Sequence, residues 1–407
     1  MHPEITSQAL SAYLRRWRRR FHARPELSFE ERETASAIAS ELKRLGLMVR
    51  TRVGGTGVVG LLPGRTSGPC LALRADMDAL PVAEANDCAY RSRRPGMMHA
   101  CGHDAHCAML LGAARLLSSR REGLEVTVKF IFQPGEETPP GGALGMIADG
   151  AMERPKVAAI FGLHMDSSLP YGRIGLRTGP MMAASDNFRI LVKGRGGHAA
   201  RPHNCLDPVL TASRIVCALQ SIVSRKVDPA QPAVVTVGRI MGGSKHNIIP
   251  ESVILEGTAR SIDTHTTKMM PRWIREIAVA TARSEGLRAE VEYQRGYPVL
   301  SNDPEMVAYA KEVVEKLFGR TAVAAIEHPL MGGEDFAYYL KEAPGAFLRL
   351  GSCSGPATAY PWHHPRFDID ERAMTMGAEL LAALAVNFPK QSLNSALREG
   401  EAFGTDS

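Results

Sequence analysis

The chain has 407 residues, 44% of them hydrophobic, enough for two globular domains with separate apolar cores. Its net charge of +6 comes without a nucleic-acid motif or basic–aromatic interleaving, which argues against nucleic acid as a partner and for small anionic substrates. Seven widely spread cysteines argue against a disulfide framework, and no signal-type or bilayer-length apolar run is present, so a cytoplasmic protein with no membrane partner is expected.

The first predicted element is a helix on Leu10, Leu14, Trp17 and Phe21, with Arg15, Arg16, Arg18, Arg19 and Arg20 as its solvated face. A second helix runs through Glu30–Gly46 on the stripe Ala35, Ile38, Leu42 and Leu45. Strands follow at Val58–Leu62 and Leu71–Ala75, a helix on the apolar run Cys107–Leu117, and strands at Val126–Phe132 and Ala158–Leu163. This alternation predicts an α/β layer architecture, with polar residues just past the strand ends where such sheets place their sites.

From Ser185 the pattern changes. A strand at Phe188–Lys193, a helix at Asp207–Arg225, strands at Val234–Ile240 and Val253–Ser261, a helix at Thr266–Glu285 and a strand at Arg288–Tyr293 give the β-α-β-β-α-β order of a ferredoxin-like unit. Helices and short strands resume at Pro298, and the polar residues after Pro389 are expected to fray. The expected division is residues 1–184 and 298–407 as one catalytic domain, with 185–297 inserted into it.

The chemistry concentrates in His99-Ala-Cys101-Gly-His103-Asp104-Ala-His106. A thiolate and an imidazole two residues apart reach one centre across a tight turn, and Gly102 permits the close backbone approach. With Glu137, His164 and His363, Cys101 and His103 make five ligands, too many for one tetrahedral ion and suited to two ions bridged by the thiolate. The Glu136–Glu137 pair follows a strand, where neighbouring side chains point to opposite sides, so one carboxylate ligates while the other serves as a base. His99, Asp104 and His106 are read as orienting the ligands and Cys107 as packing, while Asp76 and Asp78 suit either metal ligation or support, with support favoured. His198, in a glycine-rich turn, suits a donor to a developing oxyanion as well as it suits a plain hairpin corner. Asn247 and Arg260 are donors near strand ends, and Arg260 has the fork to clamp a carboxylate.

Taken together these segments resemble the amidohydrolase branch of the aminoacylase and carboxypeptidase metallohydrolase superfamily. The matching stretches are His22-Ala-Arg-Pro-Glu-Leu27, Arg74-Ala-Asp-Met-Asp-Ala-Leu-Pro81, Met98-His-Ala-Cys-Gly-His-Asp-Ala-His106, Gln133-Pro-Gly-Glu-Glu137 and Gly162-Leu-His164. Gly196-Gly-His-Ala-Ala200, Asn247-Ile-Ile-Pro250, Gly333-Glu-Asp-Phe336 and His363-His-Pro-Arg-Phe367 continue them in order. The resemblance implies a mixed-sheet di-metal catalytic domain with an inserted lid and dimerisation domain, hence a homodimer or higher oligomer. It implies two divalent ions on Cys101, His103, Glu137, His164 and His363, with Glu136 as base and acid; a Cys, His and Glu set accepts zinc, manganese, cobalt or nickel. It places His198, Asn247 and Arg260 on the substrate. The expected reaction is hydrolysis of an N-acyl amino acid; a dipeptidase or carboxypeptidase using the same site, and more remotely a metal-stabilised binding protein without catalysis, are the alternatives. Gly135 stands where the branch often has Ala, and the loops after Glu137 and His164 are this chain's own.

Overall fold

The computed structural model describes residues 5–65 and 68–389; the expected fraying after Pro389 lies outside the described residues. The described chain divides into two compact units, one taking in the chain up to Gly179, Ser301–Glu327 and the chain from Tyr338, the other Pro180–Leu300 and His328–Ala337.

In the first unit α1 (Ser7–His22) starts at a Thr6 cap, whose hydroxyl accepts the Ala9 N–H at 3.2 Å, and buries Leu10, Leu14, Trp17 and Phe21 as the periodicity predicts. Arg18 departs from its expected place on the solvated face. It is buried, because Asp104, Asp368 and Glu371 converge on its guanidinium from other parts of the chain. After α2 (Arg32–Arg44) come β1 (Met48–Val53), β2 (Gly57–Leu62), β3 (Cys70–Asp76), α3 (His103–Ser118), β4 (Thr127–Gln133), β5 (Val157–Pro170) and β6 (Ile174–Leu176). The pattern reading missed β1, a largely exposed strand at the sheet edge whose Arg-Thr-Arg core carries no apolar alternation.

The second unit contributes β7 (Ala184–Lys193), α4 (Pro208–Ser221), β8 (Ala233–Gly242), β9 (Ser252–Ser261), α5 (Thr264–Ser284) and β10 (Arg288–Tyr297). The chain then completes the first unit with α6 (Pro304–Phe318), β11 (Val323–Ala325), β12 (Gly345–Cys353) and α7 (Ala373–Val386).

Among the described residues the first unit holds an eight-stranded mixed sheet in the order β1-β2-β4-β3-β5-β12-β6-β11. β3 runs parallel to both β4 and β5, and β5 parallel to β12; these central strands are apolar almost throughout because both faces are covered. Close packing of α1, α3 and α7 depends on Gly112, where a Cβ would stand 2.6 Å from Leu14 and 3.0 Å from Ala378. The second unit has a four-stranded antiparallel sheet, β8-β9-β7-β10, in the ferredoxin-like order. Phe188, Ile190, Val192 and Leu255 pack with Ile215, Leu219 and Ile274 of the two helices. Lys193–Glu290 and Arg239–Glu256 are exposed cross-strand ion pairs of the same sheet.

Candidate metal centre

The centre forms beyond the ends of central strands of the first unit. β3 ends at Asp76 and β4 at Gln133, while β5 carries His164. Gly102, at φ +91°, closes the turn into α3; a Cβ there would press on the Met165 side chain at 3.1 Å. The helix begins at His103, ahead of the apolar run that predicts it, so His103, Asp104 and His106 lie on its first turn.

Cys101, His103 and His164 form one group whose donor atoms all lie within 4.8 Å of one another; Cys101, Glu137 and His363 form a second, and His103, Glu136 and Glu137 a third. Cys101 Sγ is 3.5 Å from His164 Nε2, and Glu137 Oε1 is 3.3 Å from His363 Nε2 and 3.8 Å from His103 Nε2. All five residues expected as ligands are therefore brought together, with Glu136 among them. The expectation that the two glutamates point apart does not hold. They sit in a turn after β4, where strand alternation no longer applies, and both carboxylates converge on His103.

Hydrogen bonds behind the donors fix their orientation. His103 Nδ1 donates to the Asp78 carbonyl at 2.9 Å and His164 Nδ1 to the Met165 carbonyl at 2.8 Å, so each presents Nε2 to the centre. Asp78 Oδ2 accepts the Glu137 N–H at 2.9 Å and the Ser28 hydroxyl at 2.7 Å. The His363 N–H donates to the Ala100 carbonyl at 2.8 Å, tying the C-terminal ligand loop to the Cys101 loop. His363 holds a positive φ of 64°, a costly conformation for a residue with a side chain.

Asp76, His103 and His106 also cluster, but His106 is engaged at both ring nitrogens. Its Nδ1 donates to Asp76 Oδ1 at 2.6 Å and its Nε2 accepts the Met165 N–H at 2.9 Å, which occupies both nitrogens. Asp76 Oδ2 takes Arg74 Nη1 at 2.6 Å. Asp76 and His106 thus hold one another beside the ligands, and Cys107 packs with its thiol on the Asp76 carbonyl at 3.1 Å. Asp104 and His99 do not orient ligands. Asp104 turns to His22 and Arg18, and His99 has no side-chain hydrogen bond among the described residues; burial pushes it down to about 4, so it is neutral.

The donor set fits divalent metal. His103 Nε2 and Glu137 Oε1 are buried without a hydrogen-bond partner among the described residues, a costly arrangement unless a cation satisfies both. Burial, then Glu137, Glu136 and Asp76, push the Cys101 thiol well up, so a thiolate there needs a strong positive charge beside it. Burial also pushes His164 well down, leaving the neutral imidazole that a metal takes.

Glu31 escaped the sequence reading. Its Oε1 accepts the N–H of Gly135 at 2.8 Å and of Phe29 at 2.9 Å, holding the glutamate loop from 104 residues away. Burial pushes Glu31 up to about 7. No local signal announces such a contact.

In the second unit, Gly197–His198 pairs with Ile248–Ile249, and the Asn247 carbonyl accepts the Ala199 N–H at 3.2 Å, so exposed His198 and Asn247 are neighbours. His198 Nδ1 accepts the Ala200 N–H at 3.1 Å, which leaves the proton of the neutral ring on Nε2. Arg260 is half-buried on β9 opposite Ser185, and burial lowers its ordinarily very high pKa.

The profile of peptidase family M20/M25/M40 matches residues 72–387. N-acetyl-L-cysteine deacetylase of Bacillus subtilis is 41% identical over 364 residues, 89% of this chain and 85% of its own. Thermostable carboxypeptidase 2 of Saccharolobus solfataricus is 39% identical, over 91% of this chain and 94% of its own. The crystal structure of the Bacillus subtilis YXEP protein, a dinuclear metal-binding peptidase, superposes with a TM-score of 0.82 at 36% identity, covering 94% of this chain and 98% of that one.

Proposed function

We propose that this chain, which belongs to peptidase family M20/M25/M40, cleaves the amide bond of N-acyl amino acids to a carboxylic acid and an amino acid, using two divalent ions held by Cys101, His103, Glu137, His164 and His363. The observation that carries the reading is the surplus of donors: four ligands around one thiol, with buried Glu136 beside them. When bound, the ions supply the positive charge that acidifies water and polarises the acyl carbonyl. Glu136 takes a proton from the attacking water and delivers it to the departing nitrogen as the C–N bond breaks. His198 donates its Nε2–H to the oxyanion, and Asn247 and Arg260 hold the substrate's carboxylate. Residues 1–184 and 298–407 form the catalytic domain in this reading, and 185–297 a lid and dimerisation surface. All seven cysteines are thiols, which suits a reducing cytoplasm.

The test is amino-acid release, by mass spectrometry, from N-acyl amino acids and dipeptides, with protein stripped of metal and reloaded with zinc, manganese, cobalt or nickel. Release from acylated amino acids that needs metal is expected. Glu136→Gln is expected to lower turnover by at least about 100-fold with metal content unchanged. Near-normal turnover of that variant overturns the assignment of the base. Release confined to dipeptides replaces the reading with a peptidase, the activity named for the Saccharolobus relative.

A further inference from the structure

We propose that Arg349 is a positioning residue for the metal centre, acting with Asp166 and Trp362 as a clamp on His164 and His363. The inference rests on the metal reading above. The stretch after His164, Met165-Asp166-Ser167-Ser168, is one of this chain's own departures from the branch it resembles, and it supplies the clamp's acid.

Arg349 on β12 is the register partner of His164 on parallel β5, so the two side chains leave the same face of the sheet. Arg349 Nη2 bonds Asp166 Oδ2 at 2.7 Å, with both side chains 4% exposed. Asp166 Oδ1 is in turn held by the Ser168 N–H at 2.8 Å and hydroxyl at 2.6 Å. The guanidinium lies over the Trp362 ring, 4.4 Å from its centroid. The Trp362 indole N–H donates to the Met165 carbonyl at 2.9 Å, the same oxygen that takes His164 Nδ1–H, and its ring meets the His164 ring at 4.6 Å. Trp362 is bonded directly to His363, whose left-handed backbone needs its surroundings to hold it.

One planar cation thus fixes one ring. That ring fixes the carbonyl that sets the His164 tautomer, and through the chain it fixes the approach of His363. A buried ion pair is weak evidence for stability alone, because desolvation offsets its attraction. Its position here, against a residue that touches both histidines, points to ligand geometry instead. Lysine cannot replace the arginine, since it has neither the planar fork nor the stacking face.

Cobalt(II) is the probe. Its affinity is measured by chelator competition, and its ligand geometry by the Cys101 thiolate-to-cobalt charge-transfer absorption, on wild type, Arg349→Met, Arg349→Lys and Trp362→Phe, with circular dichroism reporting the fold. Both Arg349 variants are expected to stay folded, bind at least one of two ions about tenfold more weakly, and give an altered charge-transfer band. Trp362→Phe, which keeps a ring but loses the N–H, is expected to fall between them and wild type. Folded Arg349 variants with wild-type affinity and spectrum overturn the proposal, and Arg349→Lys decides alone should Arg349→Met not fold. Wild type that takes up no cobalt overturns the metal reading itself and the clamp with it.

Discussion

His22, near the end of α1, sits 1% exposed between two carboxylates, Asp104 Oδ2 at 2.8 Å from Nδ1 and Glu84 Oε1 at 3.0 Å from Nε2. Both ring nitrogens face acceptors, so the geometry calls for an imidazolium. Burial opposes the charge, but hydrogen bonds to Asp104 and Glu84 outweigh it and push His22 up to about 9 from its usual 6.5. A shift of that size corresponds to about 3 kcal/mol of stability, at about 1.4 kcal/mol per unit. Because the folded state holds the proton more tightly, this contribution is complete below about pH 6.5 and is lost as pH rises through about 9. The perturbation is His22→Gln, which cannot titrate. Urea unfolding of wild type and variant between about pH 6 and about pH 10 gives the difference in stability at each pH, cancelling other titrations. That difference is expected to shrink by about 3 kcal/mol across the window. A difference that stays flat with pH refutes an imidazolium at this position.

Asp76 is fully buried between His106 and Arg74, so Asp76→Ala breaks a buried ion pair and removes the acceptor of the His106 ring N–H; we expect a loss of about 3–5 kcal/mol by chemical denaturation. Asp76→Asn keeps the shape and is expected to cost less, about 1–3 kcal/mol. Gly135→Ala places a side chain at φ +62°, costing about 1–2 kcal/mol in the thermal or urea transition. The added Cβ would also stand 2.5 Å from the Phe29 ring, but that residue is 43% exposed and its ring tip can swing aside. Adding Phe29→Ala is therefore expected to recover little, and full recovery would show that contact rather than backbone strain is the cause.

Much of the fold was legible because its elements are written in local periodicity. The alternation of Phe188, Ile190 and Val192 and the stripes of α4 and α5 predict the β-α-β-β-α-β order that the second unit adopts. β1 was not legible, since an exposed edge strand needs no apolar face. The ligand candidates were legible as residue types: thiol, imidazole and carboxylate at short spacing are rare outside metal sites, and all five converge. Which residue supports which ligand was not. Asp104 and His106 share one turn of α3, yet one binds His22 and Arg18 while the other bridges Asp76 and Met165.

By itself, then, the sequence determined the alternation of elements and the chemistry available to the site, because propensity and ligand type are properties of neighbouring residues. Tertiary structure alone decided that Arg18 is buried, that Glu31 holds the glutamate loop, and that Arg349 reaches Trp362. The first two join stretches far apart in the chain, and the third joins a strand to a loop beyond its end. Charge pairing and burial depend on which surfaces meet, and packing settles that where local pattern cannot.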